Sequence, residues 1–459
     1  MPDEWLTPDE RHELGRSFRK AAPRTAHGDW RPASDRKDPV ALLEAQNEDR
    51  VEWLLPVRRA RMSATPFAFF RGAALIMAHD LAATPVSGLQ AQICGDAHLA
   101  NFGNYASPER TLVFDLNDFD ETLPGPWEWD VKRLATSFTI AGRHNGLKDK
   151  ESRAITQYFV SEYRHAMKRF AGMRVTDVWY DLVDAERLIA GVDSKKVKKT
   201  IQSMFEKART KDSRQALDKL AEEVDGKYRI RSDPPFLVPF RDLAARYGSL
   251  DLEELAFQSF AKYLESVPDH VKCLLKQFRL VDAAVKIVGV GSVGTRCFVL
   301  LLEGRDQGDP LLLQAKEASK SVLEEHLPTS CYANSGQRVV EGQRLMQTVS
   351  DIFLGWVDGE IGGRQFYIRQ LKDWKASVDV DNASYDQLHA FARTRGWTLA
   401  RAHARSSDPI AISGYLGSGK RFDQAIAEFA QCYADQNEQD YQAFKAKIDD
   451  GRLHAAELE

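Results

Sequence analysis

The stretch LVDAAVKIVGVGSVGTRCFVLLLEG, residues 280–304, decides the fold, because the chain changes there from helical to strand periodicity. Val and Leu dominate both halves of this stretch, and the glycine cluster GVGSVG at 289–294 separates them. That pattern predicts a hairpin of two strands. The segments after it predict a third strand, one helix and two further strands: 310–318, 337–350, 352–357 and 365–370. We therefore expect a small antiparallel sheet with one helix.

Helical periodicity dominates the chain on both sides of this sheet. Apolar residues recur every three to four positions, which predicts helices at 67–81, 133–141, 155–173, 185–190 and 385–459. The apolar run at 89–94 predicts a short strand. The order of a helical part, a small sheet and a second helical part predicts an α+β fold.

The same patterns divide the chain into four parts. Residues 1–55 mix Pro, Arg and Asp, and we expect an N-terminal extension that wraps a domain. A helical catalytic part at 56–275 precedes a sheet region at 276–375, and C-terminal helices at 376–459 complete the helical part. A lysine-rich stretch at about 192–232 is expected to be a solvated helical insertion, because acids interleave its lysines.

Composition excludes several classes of protein. The 459 residues include 63 basic and 67 acidic side chains, and a net charge of −4 argues against nucleic-acid or membrane-surface binding by the whole chain. No apolar run approaches the roughly 20 residues that span a bilayer. The five cysteines form no C-x-x-C pair, so we expect neither a disulfide framework nor a structural zinc site. The acidic start is not typical of a signal or transit peptide, so we expect a cytoplasmic location.

Polar chemistry concentrates first in CGDAHLAN, residues 94–101, and in TLVFDLNDFDE, residues 111–121. Asp96 and Asn101 follow a short strand, and further carboxylates arrive on the next strand. Oxygen ligands of this kind suit Mg²⁺, which takes one or two carboxylates and completes its shell with substrate phosphates. The two segments together predict a magnesium site.

Two acids compete for the metal position, because Asp115 and Asp118 both follow an apolar strand segment. A buried carboxylate there costs several kcal/mol unless it is paired or bound to metal. The spacing to Asp130 favours Asp118 as the main ligand. The alternative interpretation is that Asp96 caps a turn and that Asp118, Asp120 and Glu121 form an acidic hairpin tip.

The second candidate site is the glycine cluster, a G-x-G-x-x-G motif between two predicted strands. A dinucleotide-binding Rossmann site requires a helix after this motif. Protein kinases instead cover the ATP phosphates with a glycine-rich hairpin turn and place a lysine on the third strand. Here Lys316 interrupts the apolar third strand, and Glu341 on the next helix could orient it through an ion pair. The alternatives are a lysine at the sheet edge and a surface acid.

Three motifs carry a resemblance to a known family. GDAHLAN at 95–101 resembles the catalytic loop of aminoglycoside- and choline-kinase-like phosphotransferases, usually H-G-D-x-H-x-x-N. NDFD at 117–120 resembles their metal-binding strand end, and PWEWD at 126–130 resembles the start of their next helix. The resemblance implies a protein-kinase-like fold of two lobes, with the nucleotide-binding sheet region as the smaller lobe.

By this resemblance, Asp96 is the catalytic base, Asn101 and Asp118 are Mg²⁺ ligands, and Asp130 braces the catalytic loop. Cys94 stands where the family has a histidine, which leaves the acid–base residues intact.

The motifs occur in the reverse order, because the catalytic loop precedes the sheet. A circular permutation accounts for this order, since GWTLARAHARSSD at 396–408 resembles the helix that leads into the catalytic loop in ordinary members. Over about 55–440 the chain also resembles an uncharacterised bacterial family, domain of unknown function family 2252. That resemblance rests on FFRG (69–72), GDAHLANFG (95–103), NDFDE (117–121), VEGQRLMQ (340–347) and FYIRQLKD (366–373).

These assignments lead to a hypothesis for nucleotide binding. We expect ATP between the sheet and the helical part, with Lys316 on its α- and β-phosphates and with Gln370 and Leu371 facing adenine. Arg71 either holds a phosphate or forms a structural ion pair, and the ion pair is the favoured interpretation. His98 is expected to brace its loop. The residues expected over the phosphates are Gly289, Gly291, Ser292 and Gly294.

The sequence thus predicts an ATP- and Mg²⁺-dependent phosphotransferase that acts on a hydroxyl acceptor of unknown identity. Two alternatives keep the fold: a nucleotide-binding pseudokinase and an AMP-transferring enzyme. A third is a metallophosphoesterase, because GDAH at 95–98 matches the opening motif of those hydrolases, although their later ligand motifs do not occur. The sequence leaves the oligomeric state open.

Overall fold

The computed structural model describes residues 5–184, 195–210, 213–247, 252–359, 363–371, 374 and 379–457. The helices are α1 (Pro8–Ser17), α2 (Pro39–Asn47), α3 (Leu55–Ser63), α4 (Pro66–Gly72), α5 (Ala74–Ala82), α6 (Trp127–His144), α7 (Asp149–Ala171), α8 (Val175–Tyr180), α9 (Lys195–Arg209), α10 (Ser213–Leu220), α11 (Phe240–Tyr247), α12 (Leu252–Tyr263), α13 (Asp269–Leu275), α14 (Ser335–Met346), α15 (Tyr385–Ser406), α16 (Pro409–Leu416) and α17 (Arg421–Asp449). The strands are β1 (Gln90–Ile93), β2 (Phe102–Ala106), β3 (Leu112–Leu116), β4 (Leu123–Pro126), β5 (Ala221–Val224), β6 (Lys227–Ile230), β7 (Leu237–Pro239), β8 (Arg279–Lys286), β9 (Cys297–Glu303), β10 (Pro310–Ala318), β11 (Gly355–Asp358) and β12 (Gln365–Gln370).

The central sheet has six strands in the order β11-β12-β10-β9-β8-β7, and every neighbouring pair is antiparallel. The structure confirms the predicted hairpin, which is β8 and β9, and the predicted strands β10, β11 and β12. The predicted helix between them is α14. Strand β7 was not predicted, because three residues at a sheet edge are too few to show an alternating pattern. The fold is mixed helix and strand, as expected.

The two faces of this sheet are buried against different neighbours. Alternation along β10 places Leu312, Gln314 and Lys316 on one face, which we call the inner face. The opposite face packs with residues of α11, α12 and α13, including Phe240, Tyr263 and Leu275. Since both faces are covered, the strands are nearly continuous apolar runs, which made them visible in the sequence.

The lysine-rich insertion is only partly helical, which corrects the prediction of helix over about 192–232. Helices α9 and α10 are followed by the antiparallel hairpin of β5 and β6. Half of the residues of these two strands are charged, with Glu222, Glu223 and Lys227 among them, so no apolar alternation marked the strands. The helix predicted at 185–190 lies outside the described residues.

The insertion contacts both parts of the protein. Phe205 and Ala208 of α9 are buried in the core of the helical part. Leu217 and Leu220 of α10 pack against the inner face of the sheet. The backbone N–H of Ile230 in β6 donates to the Asp282 carboxylate of β8 at 2.8 Å. These contacts make the insertion part of the folded core rather than a solvated arm.

The helical part is built around one large apolar core. Helices α6, α7, α15 and α17 contribute side chains such as Trp127, Phe159, Leu399 and Ile426, which are all fully buried. Two short antiparallel pairs, β1 with β4 and β2 with β3, lie beside these helices. In the described residues, no helix combines the length and apolar character needed to cross a membrane.

The helix predicted at 67–81 is divided into α4 and α5, because Ala73 leaves the helical conformation with φ −110° and ψ 32°. The end of α4 presents the carbonyl oxygen of Phe70 to the Arg133 guanidinium at 3.0 Å. It also presents the carbonyl of Gly72 to Arg58 at 3.3 Å. At this break, two buried arginines therefore donate to carbonyl groups at the end of the helix.

Candidate functional site

One cavity of about 710 Å³ brings together the acids of both predicted motifs and the glycine loop, which we define as residues 289–294. It also borders α4, α5 and the segment after β10. Its volume falls within the roughly 300–1,000 Å³ that is typical of small-molecule sites. The residues of the predicted site that line it are Arg71, Asp96, Asp118, Gly291 and Ser292, together with Asp120.

Asp130 holds the loop at 95–101 from beneath. Its two carboxylate oxygens accept the backbone N–H groups of Cys94 at 2.8 Å and Gly95 at 2.9 Å, and His403 of α15 lies 3.2 Å from one of them. Gly95 has φ +78°, and a Cβ at this position would lie 2.5 Å from the carbonyl oxygen of Glu121. The loop therefore has one tightly fixed conformation at its first residues.

Asn101 joins the loop at 95–101 to the loop at 117–121, which we call the acidic loop, through its side-chain amide. Its Nδ2 donates to the carbonyl oxygens of Asp96 at 3.1 Å and Asp118 at 3.0 Å. Its Oδ1 accepts the backbone N–H of Asp118 at 2.7 Å. A carbonyl oxygen has two lone pairs, so Oδ1 has one lone pair without a partner among the described residues, although Asn101 is buried and does not itself line the cavity.

Asp96 is an acid of the cavity with a raised pKa. Burial raises the pKa of Asp96 to about 7, even though Arg133 opposes this shift with its charge and a hydrogen bond. Arg133 Nε lies 2.6 Å from Asp96 Oδ1. The Arg133 guanidinium in turn stacks over the ring of Phe70 at 4.4 Å from its centroid. One carboxylate edge of Asp96 is thus fixed, and a quarter of the side chain remains exposed.

His98 belongs to the support of this loop. Its Nδ1 accepts the backbone N–H of Ala100 at 3.2 Å, and its Nε2 lies 3.9 Å from Asp96 Oδ2. Burial holds the pKa of His98 well below its ordinary value, so the ring is neutral. This geometry suits the loop-bracing position that the sequence predicted.

Arg71 differs from the favoured prediction, because it forms no ion pair in the described structure. It lines the cavity, and its buried Nε has no hydrogen-bond partner among the described residues. Burial lowers the pKa of Arg71, and Asp96 acts in the opposite direction. A guanidinium so placed is available to bind an anion in the cavity.

Lys316 meets two acids of the 117–121 loop. Its Nζ lies 2.7 Å from Asp120 Oδ2 and 3.3 Å from Asp118 Oδ1. Burial would raise the pKa of Asp118, but Lys316 and Arg369 together hold it below its ordinary value. The side chain of Asp118 is 43% exposed to the cavity, while that of Lys316 is buried.

Asp120 was not predicted as a site residue, and the sequence offered only its place in an acidic loop. The hydroxyl of Tyr367 donates to its Oδ1 at 2.7 Å, and Tyr367 faces Lys316 across β12 and β10. Ser292 Oγ of the glycine loop lies 3.4 Å from Asp120 Oδ2. Asp120, Tyr367 and Lys316 thus contact one another and form a polar cluster at this end of the inner face.

Glu341 does not form the predicted ion pair with Lys316. It pairs instead with Arg344 of the same helix at 3.0 Å, at an intermediate exposure. Helix α14 supports the acidic loop through another residue, Arg338, which donates to the carbonyl oxygens of Asp120 at 2.8 Å and Thr122 at 2.7 Å. The helix therefore positions the acids rather than the lysine.

The glycine loop is held by arginines of the chain that precedes α4. Arg58 donates to the carbonyl oxygen of Gly291 at 2.6 Å, and Arg61 donates to that of Gly289 at 2.6 Å. Gly289 and Gly294 have φ +65° and +92°, which favours glycine at both positions. The backbone N–H groups of Gly291 and Ser292 donate to no acceptor in the described structure. Unpaired N–H groups at a cavity can bind phosphate oxygens.

Asp115, the competing metal candidate, lies outside this cavity. Its carboxylate is buried and pairs with Arg401 of α15. It also accepts the backbone N–H groups of Leu116 at 2.9 Å and Thr348 at 3.3 Å. These partners satisfy the buried charge within the protein, whereas Asp118 faces the cavity.

Gln370 and Leu371, predicted to face adenine, also lie outside the cavity. Leu371 is buried in an apolar cluster with Leu217 and Leu220 of α10. Gln370 borders a separate cavity of about 220 Å³. In this conformation the insertion fills the space beside Leu371 that the sequence assigned to a base.

Comparison with known proteins gives one match. No curated protein and no solved structure matches the chain. Residues 50–447 match the model of a family described as "Uncharacterized protein conserved in bacteria" (DUF2252). Because this match covers far more than half of the 459 residues, the chain belongs to that uncharacterised bacterial family.

Proposed function

We propose that this protein is a Mg²⁺-dependent phosphotransferase with ATP as the donor and a hydroxyl group as the acceptor. The observation that carries the proposal is the meeting of Asp96, Asn101, Asp118 and Lys316 at one site beneath a glycine loop. These residue types are the ones that phosphoryl transfer needs, namely a base, oxygen ligands for Mg²⁺ and a cation for phosphate. Three of them come from loops that hydrogen bond to one another.

The donor set around Asp118 fits Mg²⁺ by its chemistry. Asp118 offers an exposed carboxylate, Asp120 offers a second one, and Asn101 retains a free lone pair. Hard oxygen ligands with room for water and phosphate are typical of Mg²⁺ sites. When bound, the ion would neutralise charge on the transferred phosphoryl group.

The remaining residues each have a task that follows from their position. Asp96 accepts the proton of the acceptor hydroxyl, and its pKa of about 7 suits a base that works near neutral pH. Arg133 keeps that carboxylate oriented. Arg71 and the free N–H groups of Gly291 and Ser292 bind phosphate oxygens. Each of these groups thus has a role in binding or proton transfer.

A circularly permuted protein-kinase-like fold agrees with the arrangement of the helical part. In the ordinary order, the helix that resembles 396–408 leads into the catalytic loop. In this structure the end of that helix lies beside β1, because Gln92 N–H donates to Ser406 Oγ at 3.0 Å. This contact supports a permutation of the chain order.

Binding of the magnesium complex of a non-hydrolysable ATP analogue, measured by calorimetry, tests the proposal. We expect binding that requires Mg²⁺ and weakens at least about tenfold in Asp118→Ala, because the metal loses its exposed carboxylate. Asp306→Ala is the matched control, since Asp306 is an acid of the distant β9–β10 turn that pairs with Arg305. Equal affinity in wild type and Asp118→Ala would sink the proposal.

Transfer of AMP is the second candidate, favoured by the filled space beside Leu371. A nucleotide whose base does not lie there can enter the cavity in another orientation, with its α-phosphate near Lys316. ATP labelled at the α- or the γ-phosphate separates the two reactions. If ATP labelled at the α-phosphate labels the acceptor, the reaction is AMP transfer. If ATP labelled at the γ-phosphate labels it, the reaction is phosphoryl transfer.

A further inference from the structure

A second group of potential ligands lies on the rim of the cavity, apart from the acids described above. It consists of His79 on α5, and of Glu325 and His326 at the end of a short helix, Val322–Glu325, that follows β10. Each of the three offers one ligand atom, and these atoms lie within 4.8 Å of one another. Two separate segments, one from the helical part and one from the sheet region, thus bring together three side chains of types that can bind metal.

The contact between His79 and Glu325 is unusual for a hydrogen bond. His79 Nε2 lies 3.1 Å from Glu325 Oε2. Nevertheless, this nitrogen is buried and has no hydrogen-bond partner in the described structure. A nitrogen and a carboxylate oxygen on one divalent ion, with bonds of roughly 2.1 Å and a tetrahedral angle, lie about 3.4 Å apart. The short contact therefore has the spacing of two ligands that share a cation.

The second nitrogen of His79 contacts the other histidine. Its Nδ1 lies 2.9 Å from Nε2 of His326, and the two rings meet edge to face. His326 is exposed, so its ring can leave this contact and turn Nε2 toward the position between His79 and Glu325.

We propose that His79, Glu325 and His326 form a binding site for a borderline divalent transition ion such as Zn²⁺, with water as the fourth ligand. Two imidazoles and one carboxylate suit Zn²⁺ far better than Mg²⁺, which prefers oxygen ligands only. The ion would connect α5 to the segment after β10. That segment also holds Glu121 of the acidic loop, since the N–H of Val322 donates to its carboxylate at 2.7 Å.

The test of this site is a titration of the full, chelator-treated protein with Zn²⁺ and no nucleotide. Excess Mg²⁺ is present throughout, so that it occupies the oxygen ligands of the cavity. We expect one equivalent to bind to wild type. His79→Ala should bind at least about 100-fold more weakly, because loss of a direct ligand costs more than the roughly 10–100-fold of an outer-shell partner. Glu325→Gln, an exposed change that leaves the fold intact, should weaken binding about tenfold.

The matched control is His165→Ala, because His165 is an exposed helix histidine 3.9 Å from Glu162 and has no third ligand near it among the described residues. Its Zn²⁺ affinity should equal that of wild type. Co²⁺ should give a visible absorption spectrum that is lost in His79→Ala. Equal affinity in wild type, His79→Ala and Glu325→Gln would overturn the site, and so would the absence of binding at 100-fold excess Zn²⁺.

Discussion

The two ends of the inner face of the sheet carry opposite chemistry on one continuous surface. At one end, Lys316 meets Asp118 and Asp120 beside an open cavity. At the other end, Leu312 of the same strand is buried under Leu217 of α10. The strand geometry is the same at both ends, so the difference comes from what covers the face.

For the proposed nucleotide donor, this difference indicates which half of the molecule the site can hold. The polar end offers cations, carboxylates and free N–H groups, which are groups that bind phosphates and metal. The apolar end is filled, and exposing a leucine such as Leu217 costs about 1.5–3 kcal/mol. Donor recognition should therefore depend on the phosphates far more than on the base.

The largest effect is expected from removing the proposed general base, the Asp96 carboxylate, at the polar end. Asp96→Asn keeps the shape of the side chain but cannot accept a proton, so transfer should slow by about 10²- to 10⁴-fold. Nucleotide affinity should change little, because Asp96 faces the acceptor rather than the metal. Steady-state hydrolysis of labelled ATP measures the rate without knowledge of the acceptor. A loss smaller than about threefold would remove Asp96 from catalysis.

The next effect concerns the support of the polar end. Asp130→Ala leaves the N–H groups of Cys94 and Gly95 and the ring of His403 without their acceptor. We expect the free energy of unfolding to fall by about 3–5 kcal/mol, as for other broken buried charge networks. Urea denaturation measures this change. Asp149→Ala, at an exposed helix start, is the control and should stay within about 0.5 kcal/mol of wild type.

Much of this contrast could be predicted from the sequence, and some of it could not. The strands and the conjunction of Asp96, Asn101 and Asp118 follow from local apolar runs and short spacings. Asp115 and Asp118 look alike in sequence, because both follow an apolar strand. What separates them is Arg401, which pairs with Asp115 from 286 residues away along the chain.

The packing of α10 over the apolar end also could not be predicted from the sequence. Helix α10 has only a few large apolar residues, so its pattern indicated a solvated helix. Its partners, Leu312 and Leu371, lie far along the chain, and nothing local shows that they meet. Similarly, Tyr367 reaches Asp120 only because β12 pairs with β10. Long-range packing decided each of these points.

An effect of about one order of magnitude is expected from pH. The raised pKa of Asp96, about 7, means that the carboxyl carries its proton at acidic pH and cannot act as a base. Activity should therefore increase about tenfold from pH 6 to a plateau above pH 8, since the fraction of carboxylate increases by that factor. A profile of kcat against pH measures this. A plateau that already extends down to pH 5 would contradict the assignment.

The smallest effect is expected from changing the nucleotide base of the donor. This prediction bears most directly on the comparison of the polar and apolar ends. If α10 fills the apolar end, then ATP, GTP and inorganic triphosphate should bind wild type with affinities within about threefold of one another. Calorimetry with Mg²⁺ present measures all three. In Leu217→Ala the apolar end loses buried volume, so ATP should gain over triphosphate while triphosphate affinity stays unchanged. If wild type already prefers ATP to triphosphate by more than about tenfold, the base must contact the sheet. Helix α10 would then have to leave the inner face when nucleotide binds.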